Sequence, residues 1–280
     1  MLLAILTAGC AVEEAPRTRH SRAAHDRRTG QQADADTDAD GDTDADADAD
    51  TDTDSDADPW AADDNTNAVT VGVDVSHWQG AVDWASVAAD GVQFALAKAT
   101  QSDWYIDTEF ADNYAGARAA GLMFGGYVFA IPDESDGAAQ ADFLVENGGD
   151  WVADGYTIPG VLDIEYNPNG NTCYDLSRSE MAAWVRDFDD EYIALTGRAP
   201  LIYSNQDWWN TCVGASDIPD TAPLWVAYWS TGSPALPTGW EDYVLWQYAD
   251  DGAVNGIETG VDMDRFSGSQ RQLRAFVLGE

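Results

Sequence analysis

Two carboxylates stand at the end of an apolar run in the segment PGVLDIEY, residues 159–166. Alternate side chains of a β-strand point to the same face, and residues two apart lie about 6–7 Å from each other. Asp163 and Glu165 would therefore project together from a strand whose other residues favour burial. Two neighbouring charges there are costly. The pair is either a solvated strand end or a pair of acids that performs acid–base chemistry.

The elements that must position this pair are eight short runs rich in β-branched and aromatic residues. They span residues 69–76, 94–100, 126–130, 160–166, 200–204, 224–229, 243–248 and 260–266. Helical patterns separate the early runs. The clearest is 177–196, where Ser177 and Glu180 form a capping box, apolar residues recur at helical spacing, and Gly197 ends the pattern.

Strand–helix alternation predicts a parallel sheet with helices outside it. The last connections, 230–242 and 249–259, are rich in Gly, Pro and Asp and predict no helix. The sequence therefore predicts an α/β fold, an irregular TIM-like β/α barrel with five β/α units followed by three strands with loop connections.

In such barrels the functional face lies at the carboxyl ends of the strands. The first strand ends with Asp74, the fourth with Asp163 and Glu165, and the eighth, beside the first in a closed barrel, carries Asp262. Aromatic and amide side chains share this rim: Trp78, Trp225, Tyr228, Trp229, Trp246, Gln247 and Tyr248. Acids on either side of a bond, surrounded by rings that pack on sugars, are typical of a glycosidase groove.

Composition divides the chain before the barrel begins. Residues 1–67 hold few core-forming side chains, whereas residues 68–280 carry 11 of the 12 tryptophans and can bury a substantial core. The net charge is −38, and residues 68–280 alone hold 33 acids against 8 bases. This argues against a nucleic-acid partner, because phosphate binding needs clustered Lys and Arg.

The first ten residues, MLLAILTAGC, predict an export signal, and LTAGC at 6–10 resembles a bacterial lipoprotein cleavage box with Cys10 as the lipidated residue. Ordinary secretion and a chance resemblance are the alternatives, since a basic segment before the apolar run is missing and Thr7 is not the commonest residue at its position. Residues 11–67 predict a disordered Asp-rich linker, with Asp at every even position from 34 to 58. Its start resembles a calcium loop, but Ala47 occupies the place of the bidentate Glu, so a folded calcium module is not expected.

Cys173 and Cys212 are the two cysteines of the 68–280 domain. In an exported protein such a pair indicates a disulfide, which would stabilise the fold by roughly 3–4 kcal/mol. Two free buried thiols are the alternative.

Seven motifs make this domain resemble the Chalaropsis-type lysozymes, glycoside hydrolase family 25. They are GVDVSHWQG at 72–80, KAT at 98–100, AGL at 120–122, PGVLDIE at 159–165, PLIY at 200–203, WQY at 246–248 and VD at 261–262. Their number and order cover essentially the whole domain, about 71–278. The resemblance implies a muramidase that cuts the β-1,4 bond between N-acetylmuramic acid and N-acetylglucosamine in bacterial peptidoglycan.

The resemblance also implies roles for particular residues. Glu165 matches the general acid, and Asp163, Asp74 and Asp262 match the other active-site carboxylates. Whether an Asp or the substrate's acetamido group attacks the sugar is left open. The candidates for substrate binding are Trp78, Tyr127, Tyr203, Trp225, Trp246 and Gln247. Cys173 and Cys212 stand where some bacterial members carry a disulfide.

No cofactor is expected, no metal site is predicted because His20 and His25 lie in the tail, and a monomer is expected. Two departures from the family pattern concern substrate fit: Val128 replaces a groove histidine, and Gln101 replaces a Glu. A competing hypothesis is a non-catalytic glycan-binding lipoprotein on the same barrel, and a weaker one is a calcium-responsive adhesion protein. The muramidase and the non-catalytic lipoprotein hypotheses both imply export. The exported protein would be either a membrane-anchored lipoprotein at the outer surface or in the periplasm, or a secreted protein.

Overall fold

Eight strands close into a barrel in the computed structural model, which describes residues 69–280. The strand order around the sheet is β1-β9-β8-β7-β6-β5-β4-β2, and β1 also pairs with β2, so the sheet closes on itself. The predictions for residues 1–67, including the export signal, Cys10 and the linker, lie outside the described residues.

The strands are β1 Thr70–Val75, β2 Phe94–Gln101, β3 Tyr105–Ile106, β4 Met123–Phe129, β5 Val161–Asp163, β6 Leu201–Ser204, β7 Leu224–Ala227, β8 Leu245–Gly252 and β9 Val261–Phe266. The α-helices are α1 Trp84–Ala89, α2 Phe110–Ala119, α3 Gly137–Leu144, α4 Arg178–Thr196, α5 Gln206–Cys212 and α6 Gln270–Leu278. None of these described helices combines the length and apolar character needed to cross a bilayer.

The predicted fold class is confirmed. Helices α1 to α5 each follow a barrel strand, and β7, β8 and β9 are joined by connections without α-helices. All eight predicted strands are present. Two features were not predicted: β3 is an extra two-residue strand paired antiparallel with the end of β2, and β9 runs antiparallel to both β1 and β8.

The apolar side chains divide into two layers because strand residues alternate between the inside and the outside of a barrel. The interior cluster includes Phe94, Leu96, Met123 and Leu201, and helix α6 adds Leu273 and Val277 to it. The outer layer fills the space between strands and helices.

Helix α4 fixes β5, the strand that ends in Asp163, two residues before Glu165. Its capping box at Ser177 and Glu180 and its end at Gly197, with φ of 74°, are as the sequence predicts. Tyr192 on its buried face accepts a hydrogen bond from the Gly160 backbone N–H at 2.6 Å and donates to the Gly149 carbonyl at 2.8 Å. The helix thereby holds the residue that immediately precedes β5.

Candidate active site

The antiparallel direction of β9 explains how Asp262 reaches the catalytic rim. Asp74 lies near the carboxyl end of β1 and pairs across the sheet with Asp262, near the start of β9. Because β9 is reversed, its amino end lies beside the carboxyl ends of the parallel strands. The structure therefore brings Asp74 and Asp262 to the rim where β5 ends in Asp163.

Asp163 and Glu165 form the first acidic group at this rim. Asp163 is 7% exposed, and one of its side-chain oxygens is buried without a hydrogen-bond partner among the described residues. Burial, together with the negative charge of Glu165, raises the pKa of Asp163 well above its usual value. Burial raises the pKa of Glu165 to about 7. The pair therefore holds a proton near neutral pH.

Lys98 acts on the pKa of Asp163. Its positive charge lowers the pKa of Asp163 and so opposes the effect of burial there. The Lys98 ammonium donates to Gln101 Oε1 at 2.6 Å, so the second departure from the family pattern contacts the cation beside Asp163. A cation next to Asp163 favours an ionised Asp163 and a protonated Glu165.

A second acidic group contains one carboxyl that sequence reasoning did not select. Asp264 is completely buried, accepts a hydrogen bond from Trp225 Nε1 at 2.8 Å, and is hydrogen-bonded to Asp74. Burial raises the pKa of Asp264 to about 8 and that of Asp262 to about 9. Burial and the charge of Asp264 raise the pKa of Asp74 well above its usual value.

The signal that could have identified Asp264 is its spacing. Asp262 and Asp264 are two residues apart, as Asp163 and Glu165 are, and both lie on β9. Alternation then directs both to the barrel interior, beside Asp74.

Gln247 connects this second group to the aromatic residues of the rim. Its Nε2 donates to Asp74 Oδ2 at 2.8 Å. Its Oε1 accepts hydrogen bonds from the Tyr203 hydroxyl at 2.9 Å and Trp229 Nε1 at 3.0 Å. Two donors on Oε1 fix the orientation of the amide, so that its N–H group faces Asp74.

The six predicted substrate-binding residues occupy two kinds of position. Trp78 lies on a short 3-10 helix, His77–Gln79, directly after β1, and is 52% exposed. Tyr127 is half-buried, whereas Tyr203, Trp225, Trp246 and Gln247 are buried. The indole N–H of Trp246 donates to the Tyr228 carbonyl at 2.7 Å. Direct substrate contact by the buried four stays a prediction; in the structure Trp225 donates to Asp264, Gln247 donates to Asp74, and Tyr203 donates to Gln247.

Exposed rings that the predicted set did not contain follow the ends of β5 and β7. Tyr166, Tyr228 and Trp229 are 41%, 38% and 58% exposed. The Tyr166 hydroxyl is held by Asp207 at 2.8 Å. The sequence already placed Tyr228 and Trp229 at the rim, and their position immediately after a strand end, which Tyr166 shares, is the signal for counting all three as candidates for substrate binding.

The expectation that Val128 replaces a groove residue is wrong. Val128 is completely buried and packs in the outer layer between the barrel and the helices. Alternation along β4 turns Tyr127 inward and therefore Val128 outward.

Cys173 and Cys212 are joined in a disulfide, with 5.3 Å between their Cα atoms. The bond connects the segment after β5 to the last residue of α5. It therefore fixes the loop that follows the Asp163–Glu165 pair.

An irregular β/α barrel with two acidic groups and exposed rings at one rim defines a glycoside hydrolase. The family model described as Glycosyl hydrolases family 25 matches residues 73–257. The chain therefore belongs to glycosyl hydrolase family 25.

Named relatives agree with this assignment. Lysozyme M1 of Streptomyces globisporus is 45% identical over 205 residues, which are 73% of this chain and 70% of the relative. The N,O-diacetylmuramidase of Chalaropsis sp. is 40% identical over 200 residues, 68% of this chain and 95% of the relative. The crystal structure of the bacterial lysozyme from Streptomyces coelicolor superposes with a TM-score of 0.74 at 44% identity, covering 76% of this chain and 98% of that one.

Proposed function

We propose that this chain is a muramidase that cleaves the β-1,4 bond between N-acetylmuramic acid and N-acetylglucosamine in peptidoglycan. The observation that carries the proposal is Glu165, whose pKa is raised by burial to about 7, beside Asp163 at an aromatic rim. The muramidase and lysozyme names of the similar proteins support the same substrate.

Glu165 donates its proton to the glycosidic oxygen as the bond to the anomeric carbon breaks. Asp163, whose ionised form Lys98 favours against the effect of burial, stabilises the positive charge that develops on the sugar. After the leaving group departs, Glu165 is ionised and takes a proton from the incoming water. The attacking group in the first step is either Asp163 or the substrate's acetamido oxygen, and both routes use the same acid.

The test compares wild type with Glu165→Gln on purified peptidoglycan sacculi. Glutamine preserves the shape of the side chain but has no proton to donate at this position. New reducing N-acetylmuramic acid ends, identified by mass spectrometry of the products, are expected from wild type only.

The same experiment separates the proposal from its competitor. A non-catalytic glycan-binding protein would bind sacculi and release no ends in either form. Release of N-acetylglucosamine reducing ends would instead identify a different glycosidase.

We also propose export, with lipidation at Cys10 as the anchor and a monomer as the working unit. The Cys173–Cys212 disulfide supports an oxidising compartment. Because one barrel supplies all the rim carboxylates, a second subunit is not needed to complete the site. Labelling with an alkyne fatty acid in a bacterial host tests the anchor: wild type is expected to be labelled and Cys10→Ala is not.

Light scattering of the domain tests whether it is a monomer.

A further inference from the structure

A groove of about 460 Å³ adjoins the catalytic rim, on the side of the barrel formed by β8 and β9. The lining side chains that could bind a ligand are Trp229, Tyr248, Asp250, Asp251 and Arg265. In the β8–β9 register, Trp246 pairs with Arg265 and Gln247 pairs with Asp264. Side chains alternate between faces, so Arg265 lies on the outer face, opposite the inward Gln247 and Asp264.

Two contacts join this groove to the catalytic carboxylates. Trp229 is 58% exposed, and its indole N–H donates to Gln247, which in turn donates to Asp74. On the other side, the negative charge of Asp250 contributes to the raised pKa of Asp262. The groove is therefore connected to the site through Trp229 and Asp250.

Arg265 has a guanidinium group that aromatic rings position and that has no carboxylate partner among residues 69–280. It lies over the Tyr248 ring at 4.1 Å and within 5.7 Å of the Trp246 ring centre. Among residues 69–280, no carboxylate is within ion-pairing distance of it, and its Nε is buried without an acceptor. This is notable in a domain with 33 acids and 8 bases. A guanidinium held over an aromatic ring is pre-organised to bind a carboxylate in bidentate fashion.

The opposite charge is also present in the groove. Asp250 and Asp251 are exposed at the end of β8. Carboxylates at this position attract an ammonium group, while Trp229 offers an apolar face between them and the catalytic rim. The groove is therefore complementary to a chain that bears both a carboxylate and an amine.

We propose that this groove binds the peptide substituent of the glycan strand, with Arg265 on a peptide carboxylate and Asp250 and Asp251 on the amine of its diamino acid. The inference rests on the proposed muramidase function and specifies its substrate as peptide-bearing strands. A bare strand of the two amino sugars carries no amine and no peptide carboxylates. The peptide is attached to the muramic acid residue itself, next to the bond that is cut.

The test uses soluble glycan strands in two forms, with their peptides and after removal of the peptides by an amidase. Reducing-end release gives kcat and KM for each form. Wild type is expected to show a lower KM for peptide-bearing strands. Arg265→Gln is expected to raise that KM about tenfold, equivalent to about 1.4 kcal/mol, with kcat unchanged and bare strands cut as before.

Asp251 is exposed, so the Asp251→Asn variant is expected to fold normally. It should raise KM for peptide-bearing strands and leave KM for bare strands unchanged. Arg271→Gln, an exposed arginine on α6, is the matched control and should change neither substrate. Equal wild-type KM values for the two kinds of strand would overturn this inference and leave the muramidase proposal intact. The same conclusion would follow if Arg265→Gln raised KM equally for both kinds of strand and Asp251→Asn had no selective effect. Cleavage of neither strand by wild type would overturn the muramidase proposal and this inference with it.

Discussion

At the scale of the residue, the site contains two acidic groups whose surroundings give them different tasks. Lys98 lowers the pKa of Asp163 against the opposing effects of burial and of Glu165, whereas burial alone raises the pKa of Glu165 to about 7. Asp74 and Asp264 share a hydrogen bond in the barrel interior, where no described cation contributes to their pKa values. When the surroundings push the pKa values of neighbouring carboxyls apart, the group with the higher pKa is assigned as the acid and the other as the charge-stabilising group.

The pKa of Glu165 predicts the alkaline limb of the pH profile. Because the acid must be protonated before the bond breaks, kcat/KM is expected to fall as pH rises through about 7. Glu165→Gln is expected to lower kcat by roughly 10²–10⁴-fold. The measurement is reducing-end release between pH 4 and 9.

The matched control for this experiment is Glu241→Gln, an exposed acid just before β8, at the opposite end of the barrel from the rim. It should reproduce the wild-type profile. A wild-type rate that stays constant up to pH 9 would rule out Glu165 as the proton donor with this pKa.

Asp264 predicts a difference between two substitutions. Asn at this position keeps an acceptor for Trp225 Nε1 and a donor toward Asp74, whereas Leu removes both. We expect Asp264→Asn to retain most of the activity, and Asp264→Leu to lose roughly 1–3 kcal/mol of unfolding free energy because polar groups are left buried and unpaired. Urea unfolding and kcat measured on the same samples check this.

A merely space-filling role for Asp264 would give a different pattern. Leu would then be tolerated as well as Asn, in both stability and kcat. That result would remove Asp264 from the group that positions Asp74.

At the scale of the element, the segment from Gly160 to Cys173, which contains β5 and the loop after it, is secured at both ends. Tyr192 on α4 holds Gly160 before β5, and the disulfide joins Cys173, after β5, to Cys212 at the end of α5. The acid pair lies between these two attachments. Its geometry therefore depends on helices that contribute no catalytic group.

Removal of the disulfide tests how much that attachment contributes. The double variant Cys173→Ser/Cys212→Ser is expected to lose about 3–4 kcal/mol of unfolding free energy, because the unfolded chain gains the entropy of the opened loop. Urea denaturation of wild type, with and without reductant, and of the double variant provides the measurement. If reduced wild type and the double variant unfold at the same urea concentration as oxidised wild type, the bond does not stabilise the fold.

At the scale of the whole molecule, buried acids make stability depend on pH. Asp262 and Asp264, with pKa values raised to about 9 and about 8, bind protons in the folded state that they release in the unfolded state, where a usual Asp pKa is about 3.9. The folded state therefore binds more protons between about pH 4 and 9, so the stability these groups contribute is lost as pH rises through that range.

We expect the unfolding free energy to fall from pH 5 to pH 9 by at least about 1 kcal/mol, or roughly 2–4 °C in Tm. Thermal unfolding at pH 5, 7 and 9 measures it. Asp264→Asn should reduce the slope because it removes one titrating group, and the exposed Asp251→Asn should leave it unchanged. A stability that rises steadily from pH 5 to pH 9 would contradict the buried state of these carboxyls.

Local sequence patterns were sufficient to predict the architecture and most residues of the candidate site. The change from helical to Gly- and Pro-rich connections predicted five β/α units and three further strands, because local composition controls whether a connection is long and regular enough for a helix. The motifs placed Asp74, Asp163, Glu165 and Asp262 at strand ends, and a common rim follows once the strands form one barrel.

Only the tertiary structure decided the direction of β9, the burial of Asp264, the outward position of Val128 and the isolation of Arg265 from any described carboxylate. Strand direction depends on which neighbours supply the backbone hydrogen bonds, and burial depends on side chains that are distant along the chain. Trp225 and Asp264, or Gln247 and Asp74, are far apart in sequence and meet only in the closed barrel. Local patterns therefore located the candidate catalytic acids, whereas long-range packing set their proton affinities.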